Sequence, residues 1–165
     1  MMHGALSVYA VCVVVLFLKM LAISCYQGYY RLRYKAFTNG EDAAFFGRSA
    51  NVEELPQVSR ASRAWANDLE NIPAFFAMAG LAIALGATEV AIIWLSVVFT
   101  VARVAHTLCY LRGMQPWRTV SFALGLLCLL GLAAVVAKAS VTDHQLRPKV
   151  VVDQLDIIIP QAAHR

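Results

Sequence analysis

The stretch "RASRAWANDLENIPAF", Arg60 to Phe75, brings arginines, asparagines, an aspartate and a glutamate to the edge of an apolar segment that continues to Ala87. At about 100° per residue, Arg60, Arg63, Asn67 and Glu70 fall within an arc of about 80°, so one face of a helix here is polar. The surroundings make that costly. The chain of 165 residues is 60% hydrophobic and 15% charged, with a mean hydropathy of +0.63, and this places it in the membrane class.

A helix needs roughly 20 residues to cross the hydrocarbon of a bilayer. Four segments satisfy this, at about 5–30, 61–87, 90–111 and 117–139, the second only if its helix begins inside the quoted stretch. The expectation is an all-α membrane protein: a four-transmembrane-helix bundle over residues 1–139, with a long connection at 36–60 and a C-terminal extension at 140–165 to which no role is assigned. That extension ends in a β-prone run broken by Pro160 and reads as a surface extension.

Arg31, Arg33, Lys35, Arg48, Arg60 and Arg63 lie between the first two spans, Arg112 and Arg118 between the last two, and the link between the second and third holds no basic residue. The positive-inside tendency then puts both basic loops in the cytoplasm of a multi-pass integral protein. The net charge of +4 is read as topology, and no nucleic-acid partner is expected. "MMHGALSVYA" has no basic start and Lys19 interrupts the apolar run after it, so a cleaved secretory signal is not expected. Cys12, Cys25, Cys109 and Cys128 all fall in apolar spans without a C-x-x-C pair, which indicates neither a disulfide framework nor a metal site.

The third span repeats the device of the second. In "RVAHTLCY", Arg103, His106, Thr107 and Tyr110 occupy an arc of about 100°. An arginine at the middle of a span costs about 2.5–3.5 kcal/mol on insertion scales, so Arg103 should face the bundle interior and be paired, with Glu70 and Asp68 the nearest anions by depth. A buried ion pair that fixes helix register would account for Arg103 and its acid. It accounts less well for Arg31, Arg60, Arg63, Arg103 and Arg118 as a group, a surplus that suits an anionic ligand, since guanidinium forks hold carboxylates by paired hydrogen bonds. Lys19 reads as a snorkelling or acid-paired residue. His106 reads as a packing residue, because no Ser or Cys nucleophile with a triad partner accompanies it.

Four segments, "YRLRYKAFTNGEDAAFFG", "SRAWANDLENIPAF", "ARVAHTLCYL" and "QPWRTVSF", resemble in order and spacing the MAPEG family, the membrane-associated proteins of eicosanoid and glutathione metabolism. The resemblance runs from about Lys19 to Phe122 and is greatest to the glutathione transferase branch, then to the prostaglandin E synthase branch. It implies a homotrimer of four-helix subunits with glutathione as cosubstrate, bound between subunits towards the cytoplasm. By motif position, Arg31, Arg63, Asn67, Glu70, Arg103, His106, Tyr110 and Arg118 resemble the family's glutathione-binding residues, and Arg118 the arginine beside the sulfur.

The activity so implied is conjugation of glutathione to hydrophobic electrophiles arriving from the membrane lipids, with glutathione peroxidase activity towards lipid hydroperoxides beside it. Thr119 stands where the prostaglandin synthases have serine and Phe122 where they have tyrosine; Ala66 replaces an arginine. The Thr119 hydroxyl and Asp42 keep a glutathione-dependent endoperoxide isomerase open as an alternative, with Thr119 and Asp42 as further catalytic candidates. Ala43 occupies the place of the transferases' sensor cysteine, so activation by thiol reagents at that position is not expected. A non-catalytic lipid-binding scaffold of the same family and a transporter subunit are the other classes. The membrane would be a bacterial inner membrane or the endoplasmic reticulum.

Overall fold

A computed structural model describes residues 3–162 and, as far as Thr142, their side chains. It contains α1 (His3–Tyr34), the short α2 (Gly40–Phe45), α3 (Pro56–Ala84), α4 (Glu89–Arg112) and α5 (Trp117–Ala162), and no strand among the described residues. Pro56 opens α3 at a position where its missing N–H breaks no helical bond. Starting there gives α3 29 residues and draws the whole of Arg60–Phe75 into the helix. The connection expected over 36–60 is correspondingly shorter, and α2 lies within it, capped by Asn39, whose side chain accepts from the Glu41 N–H at 3.1 Å. Gly113 ends α4 at φ 68°, a left-handed conformation that glycine adopts without a Cβ penalty. The extension expected over 140–165 falls on α5 as far as Ala162; residues 163–165, like residues 1 and 2, lie outside the described residues.

Among the described residues, three helices are long and apolar enough to cross a membrane: α1, α4 and the part of α5 from Trp117 to Thr142. The N-terminal half of α3 carries Arg60, Arg63, Asp68 and Glu70, so it does not meet the same standard.

α3 and α4 pack on each other, and α1 and α5 each pack on both of them. Contacts along the axes set the directions. The Tyr9 hydroxyl donates to the Phe76 carbonyl at 3.1 Å, Lys19 meets Asp68 and Arg31 meets Glu54, so α1 and α3 are antiparallel. Phe75 stacks on Phe99 with ring centroids 4.5 Å apart and Asp68 meets Arg103, while Arg118 lies over Tyr110 and Gly131 faces Leu95, so α3 and α4, and α4 and α5, are antiparallel too. The α1–α3 connection and the α4–α5 link therefore share one end of the bundle.

The core joins Cys12 and Leu16 of α1, Ile72, Phe75 and Ala79 of α3, Phe99 of α4, and Cys128 and Leu132 of α5. A smaller cluster of Ala5, Ala82, Ala87 and Ile92 closes the far end, where Glu89 accepts from the Ala5 N–H at 3.1 Å and satisfies one free donor at the start of α1. Cys25, though it falls in an apolar span like the other cysteines, is exposed, because only a narrow stripe of α1 faces a neighbour. Gly125 and Gly131 let α5 approach α4 closely; a Cβ on Gly131 would stand 3.0 Å from Leu95 Cδ2. Truncating the fully buried Phe75 to alanine is expected to cost about 3–5 kcal/mol, seen as earlier unfolding of the detergent-solubilised protein.

Candidate functional site

The polar residues of α3 divide between two faces. Taking about 100° per residue, Asp68 lies in the same sector as Ala61, Ala64, Phe75 and Ala79, all buried, whereas Arg63 and Glu70 point about 130–160° away. Asp68 is fully buried. Its Oδ2 accepts from Lys19 Nζ at 2.5 Å and its Oδ1 from Arg103 Nη2 at 2.9 Å, so the carboxylate is held between two cations from different helices. Arg103 is fully buried as well, and the same Nη2 donates to Asn67 Oδ1 at 2.5 Å. The expectation that Arg103 faces the interior with an acidic partner holds, and the partner is Asp68. Glu70 is exposed and has no hydrogen-bond partner among the described residues.

A second group forms where α4 ends and α5 begins. The Arg118 guanidinium carbon sits 4.7 Å from the centre of the Tyr110 ring, a cation–π contact. The His106 ring lies edge-on to Tyr110, with centroids 5.6 Å apart, and 6.1 Å from Phe122. Gln115, with its amide oxygen turned to Arg118, accepts from Nε at 3.2 Å and Nη2 at 2.5 Å, and its amide nitrogen then donates to Thr119 Oγ1 at 3.2 Å. The Tyr110 ring and the Gln115 amide oxygen thus fix the direction of a single guanidinium. Arg118 remains half-buried and Thr119 exposed, so the group is open at the end of the bundle.

The remaining candidates stand apart in a single chain. Arg31 is paired through Nε and Nη2 with Glu54 of the connection before α3. Arg63 is exposed and donates to Ser59 Oγ at 3.1 Å. Asp42 is exposed on α2 and makes no described contact with the other candidates. The structure therefore brings together Asn67 with Arg103, and His106, Tyr110 and Arg118 with Thr119 through Gln115; Arg31, Arg63, Glu70 and Asp42 join neither group. Arg63 and Glu70 are separate because they occupy the face of α3 that no helix of this chain covers.

Three residues that the sequence reading placed in no ligand site carry the geometry. Lys19, read as snorkelling or acid-paired, and Asp68, read as one of two anions open to Arg103, make the buried pair; their signal was a charge of each sign at matching depth in two apolar segments. Gln115 orients Arg118, and its only signal was a place within "QPWRT". No group of three or more potential metal ligands occurs among the described residues.

The sequence profile of the MAPEG family matches residues 9–138. The chain is 36% identical over 135 residues to the prostaglandin E synthase of Homo sapiens, covering 81% of this chain and 88% of that protein. It is 35% identical over 127 residues to the microsomal glutathione S-transferase 1 of Sus scrofa, covering 73% and 81% respectively. To the prostaglandin E synthase of Rattus norvegicus it is 37% identical over 112 residues, covering 67% and 72%.

Asp68 and Arg31 are expected to differ sharply on substitution. Asp68→Asn strands two buried cations and should cost about 3–5 kcal/mol. Arg31→Ala removes a partly exposed pair and should cost about 0–1 kcal/mol. Unfolding of both variants in the same detergent checks the contrast.

Proposed function

The chain belongs to the MAPEG family, and from that premise we propose that it is a membrane glutathione transferase, activating glutathione as a thiolate for attack on hydrophobic electrophiles. The observation that carries the reading is Arg118, held at the start of α5 by the Tyr110 ring and Gln115 and still partly open. A thiol with a pKa of about 8.5 is mostly protonated at neutral pH, and a neighbouring cation favours the thiolate. Lowering that pKa by two units needs about 2.7 kcal/mol of preferential thiolate stabilisation. One oriented guanidinium and the N-terminal end of a long helix are suited to supply it.

In the step itself the thiol proton leaves to solvent, and the sulfur lone pair forms the new carbon–sulfur bond. The leaving group departs with its bonding electrons or, in an addition, the substrate takes up a proton. Arg118 pairs with the sulfur while its charge is greatest. Asn67, Arg63, Glu70, Arg31, His106 and Tyr110 bind the rest of the tripeptide: arginines take its carboxylates, and Glu70 its ammonium or a neighbouring arginine. Arg103, matched to the same set by motif position, is fully buried and donates to Asn67.

The uncovered polar face of α3 supports a homotrimer in which a neighbouring subunit closes the site over Arg63 and Glu70. A fourth span through α3 goes with this, because its charged face would meet protein and not lipid. The basic end of the bundle, with Arg118, then lies towards the cytoplasm, and electrophiles enter from the bilayer; lipid hydroperoxides are a second substrate class for the same thiolate. Isomerisation of a lipid endoperoxide is the alternative, supported by the relatives named prostaglandin E synthase and by the exposed Thr119 hydroxyl, which shares Gln115 with Arg118.

Wild-type protein loaded with glutathione at neutral pH should show the ultraviolet absorbance of bound thiolate, and Arg118→Ala should lack it. Conjugation at pH 7 should fall roughly tenfold or more in the variant and recover as pH rises towards the free-thiol pKa of about 8.5. A thiolate signal and rate untouched by Arg118→Ala would remove the arginine from this role.

A further inference from the structure

Arg103 was expected to bind glutathione, yet it is fully buried in the subunit, closed in by α3 on one side and by α5 on the other. A Cβ on Gly125 would already stand 3.4 Å from Arg103 Cδ. A ligand cannot reach this guanidinium without displacing the packing around it. Beside Asp68, the one group Arg103 hydrogen-bonds among the described residues is Asn67, through Nη2, while Nε and Nη1 stay unpaired; Asn67 is partly exposed, turned about 100° around α3 from Asp68 towards the face that carries Arg63 and Glu70.

The contact has a chemical polarity. A guanidinium is donor-only, so Asn67 must turn its carbonyl oxygen inwards to Nη2, and its NH2 group must face outwards. Turning the carboxamide over would set donor against donor and leave the interior N–H without an acceptor. Asn67 Nδ2 donates to no described residue. Behind Arg103, Asp68 holds the same Nη2 at 2.9 Å, and Lys19 holds the other oxygen of Asp68 at 2.5 Å. Each link is anchored by one from a different helix: α1 to α3 to α4 and back to α3.

We infer that Lys19, Asp68 and Arg103 are positioning residues that act on the ligand site through Asn67, locking its carboxamide as an outward hydrogen-bond donor. This rests on the glutathione reading above and sharpens it. Asn67 recognises an acceptor, a carboxylate or peptide carbonyl oxygen of the tripeptide, and discriminates against its ammonium. Glu70, three residues on and acceptor-only, is left to the ammonium.

The charges of the relay determine which variants test it. Lys19, Asp68 and Arg103 sum to +1. Asp68→Asn strands two cations and threatens folding. Arg103→Gln leaves a neutral Lys19–Asp68 pair, and Lys19→Met leaves a neutral Asp68–Arg103 pair. Glutathione affinity is measured by calorimetry on the full-length protein in detergent, beside its melting temperature, for wild type, Arg103→Gln, Lys19→Met, Asn67→Ala, Asn67→Asp and the Asn67→Ala double variants with each of the first two.

Loss of one oriented hydrogen bond should weaken binding about tenfold in Asn67→Ala and in Arg103→Gln. Combining them should weaken it no further, because two residues that act as a unit are not additive. Lys19→Met should give a smaller loss, about threefold, that likewise vanishes on the Asn67→Ala background. Asn67→Asp keeps the bond to Arg103 but presents an acceptor outwards, so it should bind more weakly than Asn67→Ala.

Losses that multiply, to about a hundredfold in the Arg103→Gln double variant, would overturn the relay and put Arg103 in direct contact with glutathione. A lower melting temperature with unchanged affinity would reduce Arg103 to a structural pair. Wild-type affinity in Asn67→Asp would overturn the donor assignment. Failure of wild-type protein to bind glutathione would overturn the proposed function and this inference with it.

Discussion

A single carboxylate, Asp68, joins three of the four long helices. It sits fully buried between Lys19 of α1 and Arg103 of α4, in a layer that also buries Asn71, Thr100, His106 and Thr107. In a low-dielectric interior such a group is stable only if its partners are in place, since removing one leaves an uncompensated charge. Hydrophobic burial alone tolerates sliding of one helix past another, whereas these short charge-assisted bonds do not. The axial register of α1 against α3, and of α3 against α4, follows from them. The stacked Phe75 and Phe99 rings, the Tyr9 bond to the Phe76 carbonyl and the Glu89 cap on α1 lie progressively further from the basic end and agree with that register.

Fixing the register has consequences at the open end. With α4 set against α3, His106 and Tyr110 are carried to the level where α5 begins, and the glycine-terminated turn at Gly113 sends the chain back so that Arg118 meets the Tyr110 ring. Gln115 completes the hold on Arg118 from within the turn. An arginine in this setting is constrained by an aromatic face and an amide oxygen, neither of which neutralises it. Its full charge is available to an anion. Arg103 is the opposite case, an arginine whose Nη2 is taken up inside the subunit by Asp68 and Asn67, with Nε and Nη1 buried and unpaired among the described residues.

The outward face of α3 is the other constraint. Arg63 and Glu70 are exposed on a helix whose far half belongs to the apolar core, and among the described residues neither meets an opposite charge. Lipid is a poor neighbour for such groups, because charges at bilayer depth require a protein or aqueous partner. The division of α3 into an inward face that holds the subunit together and an outward one that needs completion is therefore the feature on which the proposed assembly and ligand site both rest.

Much of this is legible in the sequence. Membrane class, helical character and the positions of the long apolar segments follow from hydrophobicity and length, which are local properties of the chain. The four motifs carried the family, and the cost of a mid-span charge required a partner for Arg103. The identity of that partner was not legible. Glu70 and Asp68 lie two residues apart, at the same depth, and differ by about 200° in direction, so only the side on which α4 packs could choose between them. The same packing hid Arg103 from solvent, exposed Cys25 and gave Gln115 its place beside Arg118. The sequence by itself determined which residues are chemically able to hold an anion in a membrane. Tertiary structure alone decided which of them face outwards and which are spent on one another, because that depends on the azimuth at which helices far apart in the chain meet.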